Sequence, residues 1–259
     1  MELKKARALT KATINVADDI SMINAQSLVD LSPEDVFAFS VILCDNDIDR
    51  DYDQFAVTCL EGLVPLFRGK AGIFNHSWDA KDQIARIYSV ILADGDGNNI
   101  VGEQKKQLLA WAYIPRNEYT ADVIAKIESG ILREVSVGVS VESISCSICG
   151  SSMGYAMCEE DHIKGHEYDG ALCYGILDNP IDAYEFSFVA VPAQRDAGVR
   201  KTHQADAEKA LGIVLTLDLS EYPDELVKLR SVVMAAEQSS EDKLTRQEIL
   251  ANNQKYLES

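Results

Sequence analysis

Four thiols and two imidazoles are crowded into one short stretch of the chain: Cys146, Cys149, Cys158, Cys173, His162 and His166. A Cys-x-x-Cys pair sets two thiolates on one tight turn, and Gly150 directly after it lets the backbone fold back over an ion. A third thiol and an imidazole then complete a tetrahedral shell suited to zinc. The spacing selects Cys146, Cys149, Cys158 and His162 as the ligand set, with Cys158 and His162 four apart on one side of a helical turn. His166 could replace His162, and Cys173 could replace either. Three thiolates and an imidazole leave no open position for water, so the zinc is expected to be structural. The segment has little apolar material of its own, and metal would supply much of its folding energy.

A second set of reactive residues is spread along the chain. His76 ends a short apolar run in Phe74-Asn75-His76-Ser77-Trp78-Asp79, and Ser136 lies on the polar face of Val135-Ser136-Val137-Gly138-Val139-Ser140-Val141. Glu185 opens Glu185-Phe186-Ser187-Phe188-Val189-Ala190-Val191, with Ser187 pointing the same way and Phe186 and Phe188 the other. A serine nucleophile needs a base within hydrogen-bond reach, an acid to orient the base, and donors for the oxyanion. Adjacent strands could bring the three residues together. Residue type alone does not select them: a histidine beside a tryptophan is more often packing than catalysis. Asp182, and less strongly Asp79, compete with Glu185, and Ser140 competes with Ser136.

Three strings occur in order: Gly69-Lys70-Ala71-Gly72-Ile73-Phe74-Asn75-His76, Leu132-Arg133-Glu134-Val135-Ser136-Val137-Gly138, and Tyr184-Glu185-Phe186-Ser187-Phe188-Val189-Ala190-Val191-Pro192-Ala193. Together they resemble the signature blocks of the prohead maturation proteases of tailed phages, a family related in fold to the herpesvirus assemblins. The resemblance spans roughly residues 36–197. It implies an α+β fold with a small β-barrel and flanking helices, and a serine endopeptidase with His76 as general base, Ser136 as nucleophile and Glu185 as the acid that orients the base. By looser analogy with assemblins, the backbone N–H groups at Ala193-Gln194-Arg195 would hold the oxyanion. Members of the family cleave scaffold and capsid-protein segments, and often themselves. The implied partners are therefore phage scaffold and major capsid proteins, with self-association compatible. The implied place of action is the bacterial host cytoplasm, inside the immature head of a phage or of an integrated prophage. The cysteine-rich stretch is a departure from the usual pattern, inserted between the second and third blocks. A subset of phage sequences has a similar zinc-knuckle-like insert, with the Tyr-Asp-Gly run seen here as Tyr168-Asp169-Gly170.

These residues need elements to position them. Residues 36–43 read as a buried strand that runs into an acidic loop from Asp45 to Asp51; the loop resembles a calcium site in composition, but is expected to be solvated. Residues 60–67 read as a short helix limited by Pro65. Residues 84–92 and 107–114 read as two strands joined by a long loop over 93–99. Residues 120–129 form a helix capped by Thr120 and stopped by Gly130. Strict alternation over 135–141 places four valines on one side of a strand. Further strands fall near 172–177 and 185–191. The expected organisation is an N-terminal arm over 1–35 and a protease-like domain over 36–200. Its zinc-binding insertion covers about 144–172, and an acidic helical extension follows over 201–259.

The 259 residues carry a formal net charge of -18 and are 47% hydrophobic, enough for a packed core. Such acidity argues against binding nucleic acid, and the insert itself is acidic, with Glu159, Glu160, Asp161, Glu167 and Asp169 against Lys164. No apolar run reaches the length of a membrane span, and the start lacks the apolar core of a signal peptide, so reduced thiols in a cytosol-like compartment are expected. Cys44 and Cys59 read as small buried residues. Two rival functions remain: a catalytically inactive, zinc-stapled head-assembly or scaffold protein of the same fold, and a zinc-dependent hydrolase.

Overall fold

The computed structural model describes residues 16–200. The helical extension expected over 201–259 and the first part of the N-terminal arm lie outside the described residues. Apolar and polar alternation builds most of the chain as strands. In chain order the elements are α1 (Val16–Asn24), β1 (Val36–Asp45), β2 (Asp53–Phe55), α2 (Val57–Phe67), β3 (Ala71–Phe74), β4 (Ala85–Asn98), β5 (Gln104–Pro115), α3 (Ala121–Glu128), β6 (Val135–Cys146), β7 (Glu167–Tyr168), β8 (Ala171–Leu172), β9 (Gly175–Phe188) and β10 (Gly198–Arg200).

The class is α+β and the main sheet is mixed, running β10-β1-β5-β4-β3-β9. β6 pairs antiparallel with β9 along its whole length, so β2 and β3 share the opposite edge of β9, both parallel to it. Helix α2 connects β2 to β3 and crosses the intervening stretch of β9. Gly62 is required at that crossing, because a Cβ there would sit 2.6 Å from the Pro180 ring. The closed barrel implied by the resemblance is not formed. The sheet is open between β10 and β6, where a single bridge, Glu134 with Gly198, makes the contact. β10 is three residues long, too short to supply a closing ladder.

The main core gathers Leu60, Leu63 and Phe67 of α2, Ile124 and Ile127 of α3, and inward side chains of the strands, Phe186 and Phe188 among them. Pro65 falls in the last turn of α2, so its missing N–H interrupts little before the helix ends. Gly130, at φ 77°, ends α3 as expected. Thr120 holds the N-cap position, as expected, but its side chain makes no capping bond. Its hydroxyl instead donates to the Pro115 carbonyl at 2.5 Å and accepts the Asn117 N–H at 3.0 Å.

Two strand boundaries depart from the sequence expectation. The β4–β5 turn falls at 99–103, closed by the Asn99 N–H on the Glu103 carbonyl at 2.7 Å, and the Gly-Asp run over 94–97 stays within the strand as an irregularity of register. The strands expected near 172–177 and 185–191 are one continuous β9, which passes through Asn179 at φ 54° and Pro180 because β6 keeps pairing beside them. The described part of the arm is tied down: Ile23 of α1 is buried with Val36, Tyr88 and Tyr113.

The acidic loop is solvated only in part. Asp45 and Asp47 pair with the buried Lys105 at 3.3 and 3.6 Å, and Asp49 Oδ1 accepts the N–H groups of Asp51 and Asp53. These three carboxylates are committed to internal partners, whereas Asp51 is exposed. No described helix is long and apolar enough to cross a membrane.

Candidate functional site

His76 is presented by a tight turn at the end of β3. Asn75 and His76 have φ of 49° and 53°, and the Ser77 N–H closes the turn on the Phe74 carbonyl at 2.9 Å. Left-handed backbone is tolerated best by Gly, Asn, Asp and His among common residues, and it is costly enough that the surroundings must hold it in place. They do so twice: the Asn75 N–H donates to the Phe188 carbonyl at 3.0 Å, and the His76 N–H donates to Ser187 Oγ at 2.9 Å.

The imidazole reaches Glu185, with Nδ1 2.8 Å from Oε1. Glu185 is 6% exposed, and its other oxygen, Oε2, accepts the hydroxyl proton of Ser187 at 2.6 Å. Facing an ionised carboxylate, which only accepts, Nδ1 is the donor, an arrangement in which a neutral ring has its lone pair on Nε2. Ser187 is fully buried, and its hydroxyl ties both partners together, donating to Glu185 while accepting from the backbone N–H of His76.

β6 lies along the other edge of β9 and brings Ser136 opposite Ser187 and Gly138 opposite Glu185. Directly opposed residues share a face of the sheet, with Cβ atoms about 4.5–5.5 Å apart. The expected alternation holds: Val135, Val137, Val139 and Val141 pack on the core side, leaving Ser136 and Gly138 on the face of Glu185. Ser136 is half-buried, and its hydroxyl makes no hydrogen bond to His76 among the described residues. A Cβ at Gly138 would lie 2.5 Å from Glu185 Oε1, so the glycine makes room for the chain's own carboxylate.

The rival acids are engaged elsewhere. Asp182 lies opposite Ser140 and pairs with Lys70 at 3.1 Å. Asp79 accepts the Lys81 N–H and pairs with the Lys81 side chain at 2.7 Å. The turn at Ala193-Gln194-Arg195 is anchored to β1: Gln194 Oε1 accepts the Asp45 N–H at 2.5 Å and its Nε2 donates to the Asp45 carbonyl at 3.0 Å.

At the far end of the β6–β9 pair the cysteine-rich segment folds into a small cluster. Ligand atoms of Cys146, Cys149, Cys158 and His162 all lie within 4.8 Å of one another. Cys149 and Cys158 sulfurs are 3.7 Å apart, and His162 Nδ1 is 3.3, 3.5 and 3.8 Å from the sulfurs of Cys149, Cys158 and Cys146. Metal–sulfur bonds of about 2.3 Å at tetrahedral angles put sulfurs about 3.8 Å apart, close to the spacing of Cys149 and Cys158, so these residues could hold such an ion. The Cys-x-x-Cys turn closes through the Gly150 N–H on the Cys146 carbonyl at 2.8 Å, with Gly150 at φ 77°. Backbone N–H groups of Ile148 and His162 point at the sulfurs of Cys146 and Cys158.

Cys158 and His162 are not on a helical turn. They flank a tight reversal in which the Cys158 N–H donates to the His162 carbonyl at 2.9 Å. Cys173 Sγ is 3.9 Å from Cys146 Sγ but stands outside the mutual quartet, and His166 contributes backbone hydrogen bonds to Ile163 and Cys173. Electrostatics separate the thiols as well. Burial pushes the Cys158 thiol up, but the Ser151 hydroxyl, the backbone of His162 and Glu160, and Cys149 bring it down to about 6. Burial, and then the neighbouring Cys146, push Cys173 up to about 11, which keeps it a neutral thiol. All six cysteines are free of disulfides.

The insert is also pinned to the sheet by Lys164, whose ammonium sits 2.5 Å from Asp53 Oδ1 of β2, and Gly165 lies so close to the Tyr52 ring that a Cβ there would come within 2.7 Å. Neither contact was legible in the sequence, since each depends on two segments over 100 residues apart.

Comparison with family models, curated proteins and solved structures finds no match to this chain.

Proposed function

We propose that this chain is a serine endopeptidase in which His76 activates Ser136 and Glu185 orients His76. The observation that carries this reading is the bond from His76 Nδ1 to the buried Glu185, which leaves Nε2 free as a base on the face that also bears Ser136. In the implied reaction Nε2 takes the Ser136 proton as Oγ attacks a peptide carbonyl. The ring then protonates the leaving amine, and water releases the acyl group by the reverse use of the same base. A Ser–His hydrogen bond is commonly long or absent without substrate and tightens in the substrate complex. The assemblin-like reading of the fold, and with it the maturation of scaffold and capsid proteins in a phage head, rests on the three ordered sequence blocks and belongs to this proposal.

A fluorophosphonate probe tests the reading. It should modify Ser136, identified by peptide mass, and both His76→Ala and Glu185→Gln should suppress the modification. A chain in which Ser136 is never labelled, while its fold and metal content are normal, would favour the inactive head-assembly protein.

The second part of the proposal is a structural zinc at Cys146, Cys149, Cys158 and His162. The closed four-ligand set supports it, and so does the position of the cluster at the opposite end of β6 from Ser136.

A further inference from the structure

The paired strands β6 and β9 contain a step that alters what stands beside Glu185. The ladder passes from Gly138 opposite Glu185 to Val139 opposite Ala183, leaving Tyr184 as an extra residue with no partner across the strand. Glu185 lies on the outer face with His76, and Ala183 is buried in the core. Without the bulge, the residue preceding an outward Glu185 would face inward. The bulge turns Tyr184 outward, onto the face of Glu185. There its ring meets that of Trp78 edge-on, with centroids 5.8 Å apart.

Trp78 follows His76 by two residues. It is 82% exposed and Tyr184 is 42% exposed, so neither ring serves the core. Isolated surface aromatics carry no message, but these two are in contact and flank both members of the His76–Glu185 pair. A tyrosine and a tryptophan side by side offer a rigid apolar surface at low entropic cost on binding. Continuity with the site of peptide attack identifies what that surface would take.

We infer that Trp78 and Tyr184 form a ledge that binds a large apolar side chain of an extended polypeptide substrate, close to the bond to be cut. This rests on the proteolytic reading of the site and supplies its substrate class. The ledge selects for an apolar residue near the scissile bond rather than for charge, and it contributes to KM more than to kcat because it does not touch the reacting atoms.

The test uses the full chain carrying Ser136→Ala, so that binding is read without cleavage. Two short capped peptides serve as probes, one of alanine throughout and one with a single central leucine. Calorimetry should show the leucine peptide bound about tenfold more tightly, as burial of one such side chain allows. Adding Trp78→Ala or Tyr184→Ala should shrink the difference to under about threefold, with circular dichroism unchanged because both rings are exposed. Equal affinity for the two peptides, no binding of either, or a preference that survives both substitutions overturns the ledge. Failure of the proteolytic reading registers separately, as absence of fluorophosphonate on Ser136 in the unsubstituted chain, whatever the peptides do.

Discussion

Gly138 lies directly opposite Glu185 on neighbouring strands, and a methyl group on Gly138 would approach Glu185 Oε1 to 2.5 Å. The carboxylate can hold His76 only because this position has no side chain. Gly138→Ala should therefore displace Glu185 and release the imidazole while leaving the valine face of β6 in the core. Fluorophosphonate labelling of Ser136 should slow by about 100-fold, the scale of a misplaced catalytic group. Thermal unfolding should fall only modestly. Labelling at the normal rate would mean that the carboxylate can be accommodated elsewhere and that the close fit has no catalytic consequence.

Glu185→Gln separates orientation from charge. The amide can still accept a hydrogen bond through its oxygen, but it can equally offer its NH2 group to Nδ1, which places the ring proton on Nε2 and removes the base. Turnover of a peptide substrate should drop by up to about 10⁴-fold, with folding retained. Asp182→Asn should leave turnover within about twofold, because Asp182 is paired with Lys70 and not with the imidazole. The reverse pattern would make Asp182 the orienting acid.

How much of this was legible beforehand varies with the range of the interactions involved. The alternation of valines over 135–141 fixes which face of β6 carries Ser136, and that is a local signal. The pairing of Glu185 rather than Asp182 with His76 depends on the register of β3 along β9, a long-range pairing that no local pattern announces. The outward turn of Tyr184 depends on a bulge in β9, which is equally silent in the sequence. Asn179-Pro180 reads as a break between strands, yet β9 continues through it because β6 supplies a partner along the whole length. Conversely, the Gly-Asp run over 94–97 carries strong turn chemistry but loses to Asn99, whose side chain bonds to both the Glu103 backbone N–H and the Asn46 carbonyl. The Cys3His cluster was the most legible feature, because its residues are close in sequence. Only the local conformation between Cys158 and His162 differed.

Ser187 presents a different case: its direction was readable, its task was not. Its hydroxyl is fully buried between Glu185 Oε2 and the His76 N–H. Ser187→Ala would leave the buried Glu185 Oε2 without its donor and the His76 N–H without its acceptor, at a cost of about 1–3 kcal/mol. Denaturant titration should show that loss. Labelling of Ser136 should fall by about 10- to 100-fold, since both the turn and the acid lose their common tie. A structural role alone would lower stability and leave the labelling rate of the folded fraction untouched.

Metal removal tests the division of labour along β6. Ser136 and Cys146 are the second and last residues of one strand, which at about 3.3 Å per residue places them about 33 Å apart. Zinc at that distance cannot touch the reacting atoms. Elemental analysis of the purified, reduced chain should find about one zinc per molecule, and a strong chelator should release it. Hydrogen exchange should then rise sharply across residues 147–174, where few apolar contacts back up the metal. Labelling of Ser136 should change by no more than about threefold, because the register of β6 on β9 near Ser136 is held by the main core rather than by the cluster. Cys149→Ser should reproduce the exchange pattern without chelator. Complete loss of turnover on chelation, with Ser136→Ala still active, would instead make the metal the catalyst. A chain free of zinc with the insert still protected would end the structural assignment.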